Sequence, residues 1–149
     1  MASLDLARAL CCDVLENMTA CPVCGETLGV SQDSKSLVCP NRHCFDGGAG
    51  GYVSLVRRGG GGDSKEAVAA RKSFLEKGYY APAAQYLCDV VGELVAKEGR
   101  IVDAGCGEGY YSNLIADCGY HVFGADISKF AACSAAKSAG TRRMERGAH

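Results

Sequence analysis

Apolar residues recur every four positions at Leu6, Leu10, Val14 and Met18, which predicts a short helix over Ser3–Met18 with Ser3 as its cap. From 20 to 56 that period disappears. Paired cysteine turns, glycines and short strand-like stretches (Ser36–Val38, Tyr52–Val56) replace it, the texture of a small metal-held module. Gly59-Gly60-Gly61-Gly62 reads as a flexible linker. Helical patterning then returns. Asp63 and Glu66 form a candidate capping box, the helix runs to about Lys77, and Gly78 ends it. Pro82 opens a further helix to about Ala96. At Arg100 the pattern changes again: a short buried strand (Arg100–Asp103), a glycine loop, a helix from about Tyr110 to Cys118 closed by Gly119, a second strand (His121–Asp126), and a helix capped by Ser128 that fades near Gly140. Strand, loop, helix, strand, helix is the beginning of a doubly wound α/β sheet. The expected organisation is an N-terminal helix (1–19), a metal-held module (20–58), a linker with two helices (59–98) and the start of an α/β domain (99–149).

Composition narrows the function classes. Hydrophobic residues make up 48% of the 149, enough to bury a core. A net charge of −1 gives no global attraction to nucleic acid, so any RNA contact must be local, with Arg57 and Arg58, or Arg142, Arg143 and Arg146, as candidates. No run approaches the ~18 apolar residues of a membrane span, and Asp5 and Glu16 interrupt any signal-like stretch. The expected setting is therefore the cytoplasm, without a membrane. There the ten cysteines read as thiols or metal ligands instead of a disulfide framework.

Cys21-Pro22-Val23-Cys24-Gly25 is a turn that can aim two sulfurs at one centre, and Cys39-Pro40-Asn41-Arg42-His43 offers a second ligand pair. Two pairs of soft ligands on two turns can close a tetrahedral Zn²⁺ shell. Such a site has no open position for water, is structural, and couples metal binding to folding. The fourth ligand is His43 or its neighbour Cys44.

Val102-Asp103-Ala104-Gly105-Cys106-Gly107-Glu108-Gly109 follows a strand and opens a helix, the context of a nucleotide-type ligand at a helix N-terminus. The dinucleotide fingerprint needs a glycine at 110, where Tyr110 stands. No Gly-Lys-Ser/Thr follows, which excludes a phosphate P-loop. The spacing D-x-G-x-G-x-G instead resembles motif I of class I methyltransferases. Glycines at 105, 107 and 109 would let the backbone approach the amino-acid part and ribose of S-adenosylmethionine. Asp103 would position the loop or meet the donor's ammonium group. Asp126, ending the second strand, would accept both ribose hydroxyls or else cap the next helix.

The order of segments resembles the bacterial 23S rRNA guanine-N1 methyltransferases over about residues 20–137. The resemblance is carried by the two cysteine turns with Cys44-Phe45-Asp46, by Gly51-Tyr52-Val53-Ser54-Leu55 and Gly62-Asp63-Ser64, and by Ala70-Arg71-Lys72-Ser73-Phe74-Leu75. Gly78-Tyr79-Tyr80-Ala81-Pro82, the glycine loop through Tyr111, and Phe123-Gly124-Ala125-Asp126-Ile127-Ser128-Lys129 continue it. It implies an α/β fold: an N-terminal zinc ribbon followed by the first part of a Rossmann-like class I methyltransferase sheet. The implied zinc ligands are Cys21, Cys24, Cys39 and His43. The implied donor contacts are Tyr80, Gly107 and Glu108, beside Asp103, Gly105, Gly109 and Asp126. The implied cofactors are structural Zn²⁺ and S-adenosylmethionine, and the implied partner is 23S rRNA, with Arg42, Arg57 and Arg58 as phosphate contacts.

The family's sheet has more strands than the two found here, and Thr141–His149 stands where a third should begin. A truncated chain is therefore expected, with homodimerisation one route to completing its site. Transfer of a methyl group to a guanine nitrogen relies on positioning and proton removal, and no residue offers itself as the base. A ribbon that binds RNA without catalysis, or an inactive fragment, are the alternatives to an enzyme.

Overall fold

The computed structural model describes residues 19–48, 51–56 and 61–146, and the chain divides into two compact units, Met1–Gly60 and Gly61–His149. The expected helix at Ser3–Met18, and Arg57, Arg58, Gly59 and Gly60, lie outside the described residues, as do the side chains of Arg142, Arg143 and Arg146.

In the first unit, three short antiparallel strands form one sheet: β1 (Gly29–Val30), β2 (Ser36–Val38) and β3 (Cys44–Asp46), in that order. Register pairs Gly29 with Val38 and Leu37 with Phe45. Leu28 and Leu37 are almost fully buried, and with them Cys21 and Cys39. Two leucines are a small core for a free-standing module, which is the situation in which a metal commonly replaces apolar burial. Tyr52–Val56, expected as a strand, forms only an isolated bridge between Val53 and Gly47.

The second unit is a βαβ unit with helices around it. Strands β4 (Arg100–Ala104) and β5 (His121–Ala125) pair in parallel, Arg100 opposite His121 and Ala104 opposite Ala125. The helices are α1 (Lys65–Leu75), α2 (Ala81–Leu94), α3 (Tyr110–Asp117) and α4 (Lys129–Arg146). Parallel strands need a crossover, and α3 supplies it. Cys88 of α2, Ile115 of α3 and Tyr120 form the buried cluster, with Leu87, Val91, Val95, Ile101, Leu114, Cys118 and Val122 packed against it. Helix α4 touches α3 and β5, and α1 lies on α4. Pro82 sits in the first turn of α2, where its missing N–H costs nothing. This mixed architecture, a Cys/His ribbon and then a parallel sheet, agrees with the fold class expected from the sequence.

Four local expectations are corrected. The cap of α1 is Ser64, whose hydroxyl accepts from the Ala67 N–H at 3.2 Å. Asp63 is instead drawn to Arg71, its carboxylate 2.6 Å from Nη1. Helix α1 stops at Leu75, short of Lys77, and α4 continues through Gly140 to Arg146. Finally, Gly62 is a packing residue and not a linker glycine. Its φ is +87°, and a Cβ there would come within 2.7 Å of the Ser128 backbone.

Gly62→Ala therefore combines a left-handed backbone with an overlap that no flexible side chain can relieve. It is expected to destabilise the second unit by about 2–4 kcal/mol. Urea unfolding of the chain measures this, and an unchanged midpoint would mean that the close approach of Gly62 to Ser128 is absent in solution.

Candidate metal centre and donor loop

Two backbone turns build the metal centre. In the first, Gly25 N–H donates to the Cys21 carbonyl at 2.8 Å, and Gly25 itself takes φ +77°. In the second, Arg42 N–H donates to the Cys39 carbonyl at 2.8 Å, with Arg42 in the left-handed region at φ +62°. These turns bring the sulfurs of Cys21, Cys24 and Cys39 and a ring nitrogen of His43 within 4.8 Å of one another. His43 Nδ1 stands 3.5 Å from the Cys21 sulfur and 3.3 Å from that of Cys39, and the Cys24 and Cys39 sulfurs are 3.7 Å apart. Cys44 faces elsewhere, its sulfur 3.7 Å from Asp46 Oδ1.

Hydrogen bonds from the Asn41 side chain and then the Glu26 backbone lower the Cys24 thiol to about 6, favouring the thiolate a metal requires. Burial pushes Cys39 the other way, so in the absence of a cation the cluster opposes its own full ionisation. Three sulfurs and one imidazole nitrogen, with neighbouring groups close enough to share an ion, fit a closed tetrahedral zinc shell. In that arrangement Cys21, Cys24, Cys39 and His43 would hold the metal, which would tie the two turns together without taking part in chemistry.

The glycine loop lies between β4 and α3. Gly105, Gly107 and Gly109 all have positive φ, of +88°, +57° and +83°. The N–H groups of Gly105 and Cys106 both donate to the Ala125 carbonyl at the end of β5, at 2.7 and 3.0 Å. The three glycines have different surroundings. A Cβ at Gly105 would meet nothing, and one at Gly107 would only touch the Arg71 guanidinium. At Gly109 it would lie 2.9 Å from the Ala135 Cβ, so that glycine is needed for α4 to pack.

Each sequence-predicted acid has a partner. Asp103 Oδ2 accepts from the Ser112 hydroxyl at 2.5 Å. Asp126 Oδ2 accepts from Gly107 N–H at 2.9 Å, and its Oδ1 from Ser128 N–H at 2.7 Å. Glu108 is 6% exposed and receives Arg71 Nε at 2.6 Å. Cys106, in the middle, is held up at about 11, first by burial and then by Asp103, Asp126 and Glu108. The loop is thus surrounded by three carboxylates. Tyr80 stands before α2, 45% exposed, its ring 5.8 Å from that of Phe74. Burial, then Tyr110, Tyr80 and Glu108, raise the Tyr111 hydroxyl, which places these groups in one neighbourhood. Arg71 was no candidate site residue in the sequence, because its partners lie eight residues upstream and in the glycine loop.

Comparison with known proteins agrees with this arrangement. Residues 19–56 match the family model described as RlmA, N-terminal, a zinc ribbon. A putative 23S rRNA (guanine-N(1)-)-methyltransferase of Micromonospora griseorubida is 36% identical over 79% of this chain and 47% of its own length. The 23S rRNA (guanine(748)-N(1))-methyltransferase of Streptomyces fradiae is 35% identical over 61% of this chain and 33% of its own. For the putative enzyme YxjB of Bacillus subtilis the figures are 33%, 72% and 39%. The chain spans about half the length of these relatives or less. The resemblance expected from the motifs is borne out over the ribbon and the start of the domain that follows it.

The metal centre predicts about one zinc per chain. Cys39→Ser is expected to abolish stoichiometric zinc, and Cys44→Ser to leave it in place. Elemental analysis of the purified variants checks both, and zinc lost with Cys44→Ser would mean that the wrong neighbour has been assigned.

Proposed function

We propose that this relative of the 23S rRNA guanine-N1 methyltransferases is itself a part of such an enzyme, contributing the zinc ribbon and the loop that receives S-adenosylmethionine. The observation that carries the reading is the electrostatic character of the loop. Asp103, Glu108 and Asp126 lie beside three glycines at the ends of two parallel strands. Ligands of α/β sheets bind at such strand ends. A dinucleotide would bring a doubly charged pyrophosphate against three carboxylates. S-adenosylmethionine brings a sulfonium and an ammonium against a single carboxylate of its own, and S-adenosylhomocysteine keeps the ammonium, which those acids attract.

Within this reading each residue has a role. Asp126 keeps lone pairs beyond the two it uses on Gly107 and Ser128, so it can also accept ribose hydroxyls. Asp103, near the end of β4, would meet the donor's ammonium, and Tyr80, just before α2, would touch the donor. Gly105 and Gly107 leave the backbone open to the ligand. When bound, S-adenosylmethionine supplies an electrophilic methyl group. That group would pass to a guanine N1, with S-adenosylhomocysteine and the N1 proton as the other products. No residue of the chain is assigned as the base for that proton. The ribbon, with Arg42 exposed on its second turn, would contact rRNA. Such an enzyme works in the cytoplasm, and no helix among the described residues is long and apolar enough to cross a membrane.

Titration calorimetry of the zinc-loaded chain tests the donor site. S-adenosylhomocysteine is expected to bind and NADH not to bind. Gly107→Val, which puts a branched side chain at a position of φ +57°, is expected to remove binding. NADH binding without S-adenosylhomocysteine would overturn the assignment. RNA binding by a chain that ignores both would favour a ribbon that recognises RNA without catalysis.

A further inference from the structure

A closed circuit of polar contacts runs through the second unit. Gly107 N–H donates to Asp126, and Asp126 accepts from Ser128 N–H through its other oxygen. The Ser128 hydroxyl donates to the Asp63 carbonyl at 2.8 Å. Asp63's carboxylate accepts from Arg71 Nη1, and Arg71 Nε donates to Glu108, the residue that follows Gly107. The circuit thus returns to the loop where it began. It joins three segments distant in sequence: the start of α1, the glycine loop and the turn after β5.

We propose that Arg71 is the positioning residue of the donor loop, acting through Glu108 to fix the backbone at Gly107. This rests on the reading of the loop as a donor site, although its structural half can be tested without the donor. Three observations carry it. Arg71 uses two different nitrogens on two different acids, each at 2.6 Å, so its planar fork sets the angle between α1 and the loop. Glu108 is the most buried acid of the loop, and an unpaired buried carboxylate is costly, so it holds to Arg71. Gly107, between Glu108 and the N–H contact to Asp126, has a left-handed conformation with no Cβ to stiffen it, and the two flanking contacts define its orientation. Arg71 itself touches no reacting atom. Its part is to hold the loop open in the form the donor meets.

The test compares the full-length chain with Arg71→Met, Arg71→Lys and Glu108→Gln, by amide hydrogen exchange without ligand and by calorimetry with S-adenosylhomocysteine. Arg71→Met is expected to speed exchange at the Gly107 amide about tenfold or more, while the β4–β5 ladder amides are unchanged. Donor affinity should fall by about the same factor, and Arg71→Lys, which keeps the charge but loses the fork, should recover part of it. Combining Arg71→Met with Glu108→Gln should add little to either alone, because one acts through the other. Unchanged Gly107 exchange in an Arg71→Met chain whose ladder remains protected overturns the proposal. Full additivity in the double variant does so as well. If Arg71→Met loosens the whole unit, Asp63→Asn takes its place, because it weakens Arg71's other anchor on an exposed side chain. Faster Gly107 exchange in a chain that never binds S-adenosylhomocysteine keeps the positioning role and removes the donor reading instead.

Discussion

One carboxylate, Asp126, accepts two backbone N–H groups, and the α/β unit is arranged about it. Gly107 belongs to the loop after β4, and Ser128 to the turn after β5. Buried N–H groups at such turns must find acceptors, and neither has a carbonyl within the strand ladder to turn to. Asp126 satisfies both and so determines how far apart the two turns sit. The Ser128 hydroxyl then reaches the Asp63 carbonyl while also accepting from Ala131 N–H at the start of α4. Gly62 has to be a glycine because this brings its backbone against that of Ser128. Packing of α1, α4 and the loop thus follows from where one acid places two amides.

The ribbon meets a similar constraint with different chemistry. Its strands are two or three residues long, and among its described residues Leu28 and Leu37 are the buried aliphatic side chains. A core of that size contributes too little to offset the entropy of ordering the turns around it. Three thiols and an imidazole can be gathered only if something neutralises the thiolates, since burial disfavours the charge on Cys39 while hydrogen bonds favour it on Cys24. A divalent cation resolves that opposition, so folding of the turns and metal binding become one equilibrium. In both units a polar centre does the organising that an extensive apolar core would do in a larger domain.

How much of this was legible in the sequence depended on how local each feature is. Cys21 with Cys24 and the D-x-G-x-G-x-G loop are short-range patterns, and the structure places them on turns as their spacing implied. The choice between His43 and Cys44 could not be read from spacing, because the two are adjacent. It follows from β3, in which Cys44 is the first residue, paired with Val38, while His43 remains on the turn. Asp63 was read as a cap because it lies three residues before Glu66. Ser64 has the same relation to Ala67, and Arg71, eight residues on, is a better partner for a carboxylate than a backbone amide is. Gly62 was hidden in a run of four glycines, since composition cannot separate a glycine that is free from one pressed against another backbone. For Gly109, expected to let the backbone approach a ligand, the structure adds a second need for glycine that the motif could not reveal, because a Cβ there would meet Ala135 of α4.

The three carboxylates around Cys106 also bear on why this loop differs from its dinucleotide-binding counterparts. Gathering Asp103, Glu108 and Asp126 raises the local negative potential, and the structure offsets part of it internally. A hydroxyl meets Asp103, an arginine meets Glu108 and two amides meet Asp126. Those contacts do not cancel the field at the mouth of the loop, because among them only Arg71 brings a full positive charge, and it is shared with Asp63. A residual negative field is unfavourable for the folded chain by itself and becomes favourable once a cation enters. The same geometry with a glycine at position 110 and fewer acids would suit a pyrophosphate. Tyr110 there, and the three acids gathered beside the glycines, set this loop apart from that arrangement.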